Sequence, residues 1–375
     1  MPPHDTTTAV APPPTDTVLT VDGLGVTVSG GLPAVRDVSL TVRRGESLGL
    51  VGESGSGKSL TCRSVLGVLP AGCEVARGRI TLGGRRPSPD EEGADSRERP
   101  EAELTALSRK QWNAVRGSRI GAVFQDPASY LNPSLTVGRQ LAEQLRVTQG
   151  LSRSAARARS VALFAEVGLH RPHEVFDQYP HELSGGMLQR VLIAVAVSCA
   201  PELLIADEAT TALDVVVQAE ILELLQRLRS EHGLALLHVT HDLAIVAESC
   251  DRVLVMYAGE IVEEGPTQEV LGAPAHPYTE ALLRVASLGT WGRRQLDVIP
   301  GRPPEAGAEL PGCRFAERCP VAAPQCSAAP VALFPAGEGR RARCLRAAGL
   351  IDDPRASLPR TADETPHATE GADHA

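Results

Sequence analysis

Short apolar runs and helix-period segments take turns along most of the chain. Residues 18–21, 38–42 and 47–51 read as strands, and the last leads directly into a glycine-rich loop with a helix expected from about Lys58. A strand over 78–82 precedes residues 85–103, RRPSPDEEGADSRERPEAE, which carry charge and proline but no apolar stripe and are predicted as a solvated surface insertion. A strand over 120–124 opens onto a mostly helical stretch over 136–176. Helix 185–197, buried strand 203–206, helix 215–229 and strand 234–239 follow. This alternation predicts an α/β fold built on a largely parallel sheet. After 264 the pattern weakens, and from 298 onward Pro, Gly and Cys dominate, which places a boundary near 290. Residues 1–16 and 351–375 are polar and aperiodic and are expected to be disordered tails.

Composition changes the picture mainly by exclusion. The 375 residues are 42% hydrophobic, ample for one large or two smaller cores. A net charge of -9 argues against a general nucleic-acid binder, which needs clustered positive charge to displace counterions. The longest apolar run, VLIAVAVSCA at 191–200, falls far short of the ~20 residues a helix needs to cross a bilayer, so no span is expected. The N-terminus lacks the features of a secretory signal, and a cytoplasmic location is expected. In a reducing compartment the eight cysteines pose a metal question before a disulfide one, and Cys313, Cys319, Cys326 and Cys344 cluster in the last quarter. Of the 37 basic residues only Lys58 and Lys110 are lysines, which suggests that a compact ammonium is wanted at 58.

The chemistry begins at 52–59, GESGSGKS, a full match to the phosphate-loop pattern between an apolar strand and a helix. Its residues Gly52, Glu53, Ser54, Gly55, Ser56, Gly57, Lys58 and Ser59, with Leu60 just inside the helix, form a candidate nucleotide site. The glycines let backbone N–H groups turn toward phosphate oxygens, Lys58 is suited to bridge the β and γ phosphates, and Ser59 offers a hydroxyl to Mg²⁺. The strand LLIA at 203–206 ends in Asp207 and Glu208. Such a pair alone is weak. Beside a phosphate loop it reads as a Mg²⁺ ligand, Asp207, and a general base, Glu208, for in-line attack of water on the γ-phosphate.

LSGGM at 183–187, within HELSGGMLQRVLIAVAV, resembles the signature of ABC ATPases. The resemblance implies a P-loop NTPase fold with a mixed sheet core over about 17–290, a helical subdomain over about 136–200 and a small irregular cysteine-bearing extension over 291–350. It further implies that Ser184, Gly185 and Gly186 face a nucleotide held by a second ATPase subunit in a head-to-tail dimer. Gln125 resembles the Q-loop residue that contacts Mg²⁺, Asp214 the D-loop residue and His241 the switch histidine. Two departures stand out. Ala209 replaces the usual Pro after the glutamate, and residues 25–29, GVTVS, lack the aromatic that stacks on adenine, so Val28 is expected to give apolar contact and a relaxed choice between ATP and GTP.

VGESGSGKS, FQDPASYLNPSLTVG and HPYTEALL are similar to ATPase subunits of peptide and nickel importers, and IPG at 299–301 with PGCRFAERCP at 311–320 resembles the C-terminal extension of the oligopeptide and dipeptide members. This implies ATP hydrolysis with Mg²⁺ that powers peptide import at the cytoplasmic face of the membrane. The partners implied are two membrane permease subunits and, indirectly, an extracytoplasmic solute-binding protein. Leu188 keeps a nickel importer open, and a soluble ABC ATPase outside transport is the rival from another class. The spacing C-x5-C-x6-C-x17-C lacks the paired knuckles of a persuasive zinc site. Four thiolates suit a 4Fe–4S cluster, which the resemblance also implies, while zinc and unliganded thiols remain alternatives.

Overall fold

The structure, a computed structural model, describes residues 16–84, 100–209, 213–287 and 299–354. Two long antiparallel strands, β1 (Thr17–Val28) and β2 (Leu32–Arg43), precede β3 (Ser47–Val51) and helix α1 (Lys58–Leu66). Next come β4 (Glu74–Leu82), the short β5 (Ala102–Glu103), a single turn α2 (Arg109–Trp112) and β6 (Ile120–Phe124). Helices α3 (Val137–Gln149), α4 (Arg153–Glu166), α5 (Pro172–Phe176) and α6 (Gly185–Val197) form the helical stretch. Then follow β7 (Leu203–Asp207), α7 (Val215–His232), β8 (Ala235–Thr240), α8 (Leu243–Ser249), β9 (Arg252–Tyr257), β10 (Glu260–Pro266), α9 (Thr267–Gly272) and α10 (Pro277–Ser287). The extension adds β11 (Phe334–Pro335) and β12 (Arg341–Ala342).

The strands sort into two sheets, β2-β1-β4-β5 and β11-β12-β10-β9-β3-β8-β7-β6. The first is antiparallel throughout. In the second, β9, β3, β8, β7 and β6 run parallel, and β10, β12 and β11 add an antiparallel edge. β3, β7 and β8 are buried at every position, as strands covered on both faces must be, which explains their continuous apolar sequence. Leu19, Leu24 and Ile80 of the antiparallel sheet share a core with Cys62 of α1 and with Leu50 and Leu237. A second core, including Leu141, Phe164 and Val191, unites the helical stretch with α7.

Three expectations are corrected. The first strands, read as 18–21 and 38–42, each run for 12 residues, because register shifts between Val21 and Val26 interrupt the alternation that would have revealed the full length. The polar stretch over 85–103 is not wholly loop: Ala102 and Glu103 pair with β4, while residues 85–99 lie outside those described. The weak pattern after 264 conceals α9 and α10. The expected tails over 1–16 and 351–375 fall largely outside the described residues, with Asp16 and residues 351–354 inside them.

Arg119 fastens the two sheets together. Its guanidinium donates to both carboxylate oxygens of Glu202 at 2.8 and 3.3 Å, and to the carbonyls of Pro100 and Gly83 at 2.7 Å each. Both side chains are almost fully enclosed. Removing one partner strands the other charge in a dry interior, which costs about 3–5 kcal/mol. Arg119→Ala should therefore lower the unfolding free energy by that amount in urea titrations, with a much smaller loss when Glu202 is neutralised at the same time.

Candidate active site

Four neighbouring parallel strands deliver the predicted residues to one edge. The register sets Val51 against Thr240, Val239 against Asp207 and Asp207 against Phe124, so the carboxyl ends of β3, β8, β7 and β6 are level. Just beyond them lie the phosphate loop, His241, Glu208 and Gln125. Ser59, Arg63, Gln125, Asp207 and Glu208 line one cleft of about 220 Å³.

The loop's geometry requires glycine. At Gly52, with φ of 154°, a Cβ would sit 2.1 Å from the Met256 carbonyl oxygen; at Gly57, with φ of 108°, it would sit 2.7 Å from the Met256 side chain. The chain can thus turn tightly around β9 and present α1 by its amino end, where unpaired N–H groups favour an anion. The Lys58 ammonium folds back to donate to the carbonyls of Gly52 at 2.7 Å and Glu53 at 3.0 Å. Burial lowers the Lys58 pKa against the opposing pull of Glu208 and Asp207, and burial raises that of Asp207 against its hydrogen bond from Ser59. A cation and an anion are each held in a place that penalises charge, which a bound phosphate and a metal ion would relieve. The Ser56 hydroxyl, buried in the loop, finds no partner among the described residues.

Ser59 Oγ donates to Asp207 Oδ1 at 3.2 Å, bringing a hydroxyl and a carboxylate together as a divalent-cation site requires. His241 Nδ1 lies 3.3 Å from Glu208 Oε1. Glu208 has φ of 51°, left-handed backbone that costs a side-chain-bearing residue about 1–2 kcal/mol and turns its carboxylate out of the strand line. The arrangement can hold a phosphate chain and a metal ion with a base and an imidazole alongside.

Ser184, Gly185, Gly186 and Asp214 are absent from that cleft. Ser184 caps α6 by accepting from the Met187 N–H at 3.3 Å, and Asp214 caps α7 by accepting from the Val217 N–H at 3.0 Å. The two helix starts touch: a Cβ on Gly186 would lie 2.7 Å from Val217 Cγ1. Ser184 and Gly185 are exposed, and Val215 and Val216 beside them are 83% and 69% exposed. Ser184, Gly185, Gly186 and Asp214 thus lie at two adjoining helix starts outside the cleft that Ser59, Asp207 and Glu208 line.

Two residues tied to the phosphate loop carry no expectation from the motifs. Tyr278 Oη accepts from the Glu53 N–H at 2.8 Å, and Arg318 forks onto the Glu53 carboxylate at 2.7 and 3.0 Å. They sit in HPYTEALL and PGCRFAERCP, but nothing in the spacing links either to a residue more than 220 positions earlier. The four C-terminal cysteines line a small cavity with His276 and Phe315. Burial pushes the Cys313 thiol up to about 12. Among the described residues no group of His, Cys, Asp or Glu is gathered to hold a metal ion.

A model of the ABC transporter family matches residues 35–211, and one of the oligopeptide/dipeptide transporter C-terminal region matches residues 262–326. The chain is 40% identical over 330 residues to the dipeptide transport ATP-binding protein DppD of Escherichia coli (strain K12), covering 87% of this chain and 96% of that protein. It is 40% identical over 314 residues to the oligopeptide transport ATP-binding protein AppD of Bacillus subtilis (strain 168), covering 84% and 90%. Among solved structures, the ATP-binding cassette MJ0796, a dimer in a post-hydrolysis state with ADP and Pi, matches with a TM-score of 0.55 at 25% identity, over 66% of this chain and 98% of that one. CbiO1 from Clostridium perfringens, part of the ABC transporter complex cbiONQ, matches with a TM-score of 0.56 at 31% identity, over 69% and 92%.

His238, on β8 behind the catalytic edge, gives a pH test. Burial holds its imidazole down at about 4, against an ordinary value of 6.5. Between those values the unfolded chain binds the extra proton, so stability falls as pH drops through that window. Wild type should lose about 3 kcal/mol more than His238→Leu between pH 7 and pH 4 in urea unfolding.

Proposed function

The chain belongs to the ABC transporter family of ATPases, and from that premise we propose that it powers the import of di- or oligopeptides through a membrane transporter. It is an ATPase that works on ATP with Mg²⁺. The observation that carries the reading is the level edge at which the loop of 52–59, Asp207–Glu208 and His241 meet. The match over 262–326 to the peptide-transporter C-terminal region favours peptide over nickel.

In this reading the N–H groups of the loop and Lys58 hold the phosphates, while Ser59, Asp207 and Gln125 hold Mg²⁺. Glu208, oriented by His241, takes a proton from water as its oxygen attacks the γ-phosphorus, and the bond to the ADP oxygen breaks in line. Ser184, Gly185, Gly186 and Asp214 complete the site of a second ATPase subunit, identical or related, and the exposed Val215 and Val216 are suited to lie in that contact. No helix among the described residues is long and apolar enough to cross a membrane. Attachment to the cytoplasmic face then falls to two permease subunits, with an extracytoplasmic binding protein supplying cargo. We assign 17–290 to the ATPase domain, about 136–200 to its helical subdomain and 291–350 to the extension.

The convergence of Cys313, Cys319, Cys326 and Cys344 on one cavity with an apolar surround supports a 4Fe–4S cluster. A zinc ion would draw its thiolates to about 2.3 Å from one centre, whereas in a cluster each thiolate takes its own iron and the thiols stand wider apart. Such a group would staple the extension rather than enter hydrolysis.

Glu208→Gln should retain MgATP binding, accumulate an ATP-bound dimer on size exclusion and lose turnover by at least about 100-fold. Undiminished turnover would exclude Glu208 as the base. Anaerobically purified protein should contain iron and acid-labile sulfide with brown visible absorbance, lost in Cys326→Ser; stoichiometric zinc without iron would reverse the assignment.

A further inference from the structure

Glu53 is held at three points. Its amide donates to Tyr278 Oη at 2.8 Å, its carbonyl accepts from Lys58 Nζ at 3.0 Å, and its carboxylate receives the Arg318 fork at 2.7 and 3.0 Å. Arg318 is spent completely at this position. Its remaining N–H groups donate to the carbonyls of Pro300 at 2.8 Å and Ile299 at 3.0 Å and to Tyr257 Oη at 3.2 Å, so all five donors are used. The Arg318 side chain is 4% exposed and that of Glu53 is 27% exposed, so the pair is sheltered from solvent on the arginine side. Tyr257, Tyr278 and Phe315 pack together beneath it, with ring centroids 4.5 to 5.3 Å apart.

A carboxylate inside a phosphate loop is an electrostatic liability. Left to itself it repels an arriving triphosphate and competes for Lys58, whose ammonium already touches the Glu53 carbonyl. A bidentate guanidinium answers both problems, because it offsets the charge and fixes the carboxylate on the side of Arg318. We propose that Arg318, assisted by Tyr278, is a positioning residue for nucleotide binding, which makes the C-terminal extension part of the phosphate site. The proposal rests on the reading of 52–59 as the nucleotide loop. It adds that affinity for MgATP is set in part by a residue adjoining Cys319, at the wall of the thiol cavity.

The test is MgATP affinity of the full chain, read with a fluorescent ATP analogue. Arg318→Gln should raise Kd about tenfold, and the double variant Glu53→Gln/Arg318→Gln should recover to within about threefold of Glu53→Gln alone, because the charge that needed neutralising is gone. A purely structural role predicts the reverse, with the double variant at least as impaired as Arg318→Gln. Wild-type affinity in Arg318→Gln, or a double variant that does not recover, overturns the proposal. Should Arg318→Gln fail to fold, Arg318→Lys and Tyr278→Phe take its place: each should raise Kd, and unchanged values in both overturn it. Lys58→Ala separates the underlying reading, because binding that survives this change defeats the nucleotide loop itself, whatever Arg318 does.

Discussion

The burial of β3, β8 and β7 in parallel register is the constraint on which the chemistry depends. Each strand is enclosed on both faces, held to its neighbours by a continuous parallel ladder and packed by side chains above and below the sheet. That rigidity keeps Ser59 within hydrogen-bonding distance of Asp207 and Glu208 within reach of His241, although the residues come from separate parts of the chain. The loop itself could not do this, since glycine-rich backbone has little stiffness of its own.

Much of this is legible in the amino-acid sequence alone. The strands over 47–51 and 203–206 announce themselves because full burial writes a continuous apolar run, and helix 185–197 because a serine cap precedes it. The antiparallel sheet was only half visible: bulges around Gly23 and Gly25 break the two-residue alternation that identifies a strand. The place of His276 beside the thiols and the hold on Glu53 were hidden for another reason. They join residues brought together by the fold, so that Glu53 meets Arg318 across 265 positions. Local pattern registers neither. His276, Tyr278 and Arg318 sit in segments whose similarity to a family was plain while their physical task was not.

The extension is also less dependent on its cysteines than its composition suggests. Loop-rich and proline-rich, it nonetheless packs Phe315 against both Tyr257 and Tyr278, buries Ile299 and Val331, and extends the large sheet by β11 and β12. Glu263 and Glu264 on β10 each meet an arginine of that edge, Arg340 and Arg341. Aromatic packing and these pairs give the extension a docked position, and the thiols close a structure already anchored on the ATPase core.

The union of Glu53 with Tyr278 and Arg318 also bears on how the protein is made. A ribosome delivers the phosphate loop long before the residues that fix it, and the nascent chain must carry an unpinned Glu53 until residue 318 has cleared the exit tunnel. Synthesis therefore contains an interval in which the loop exists without its clamp. A product that ended before residue 318 would keep the loop but lack the fork that holds Glu53.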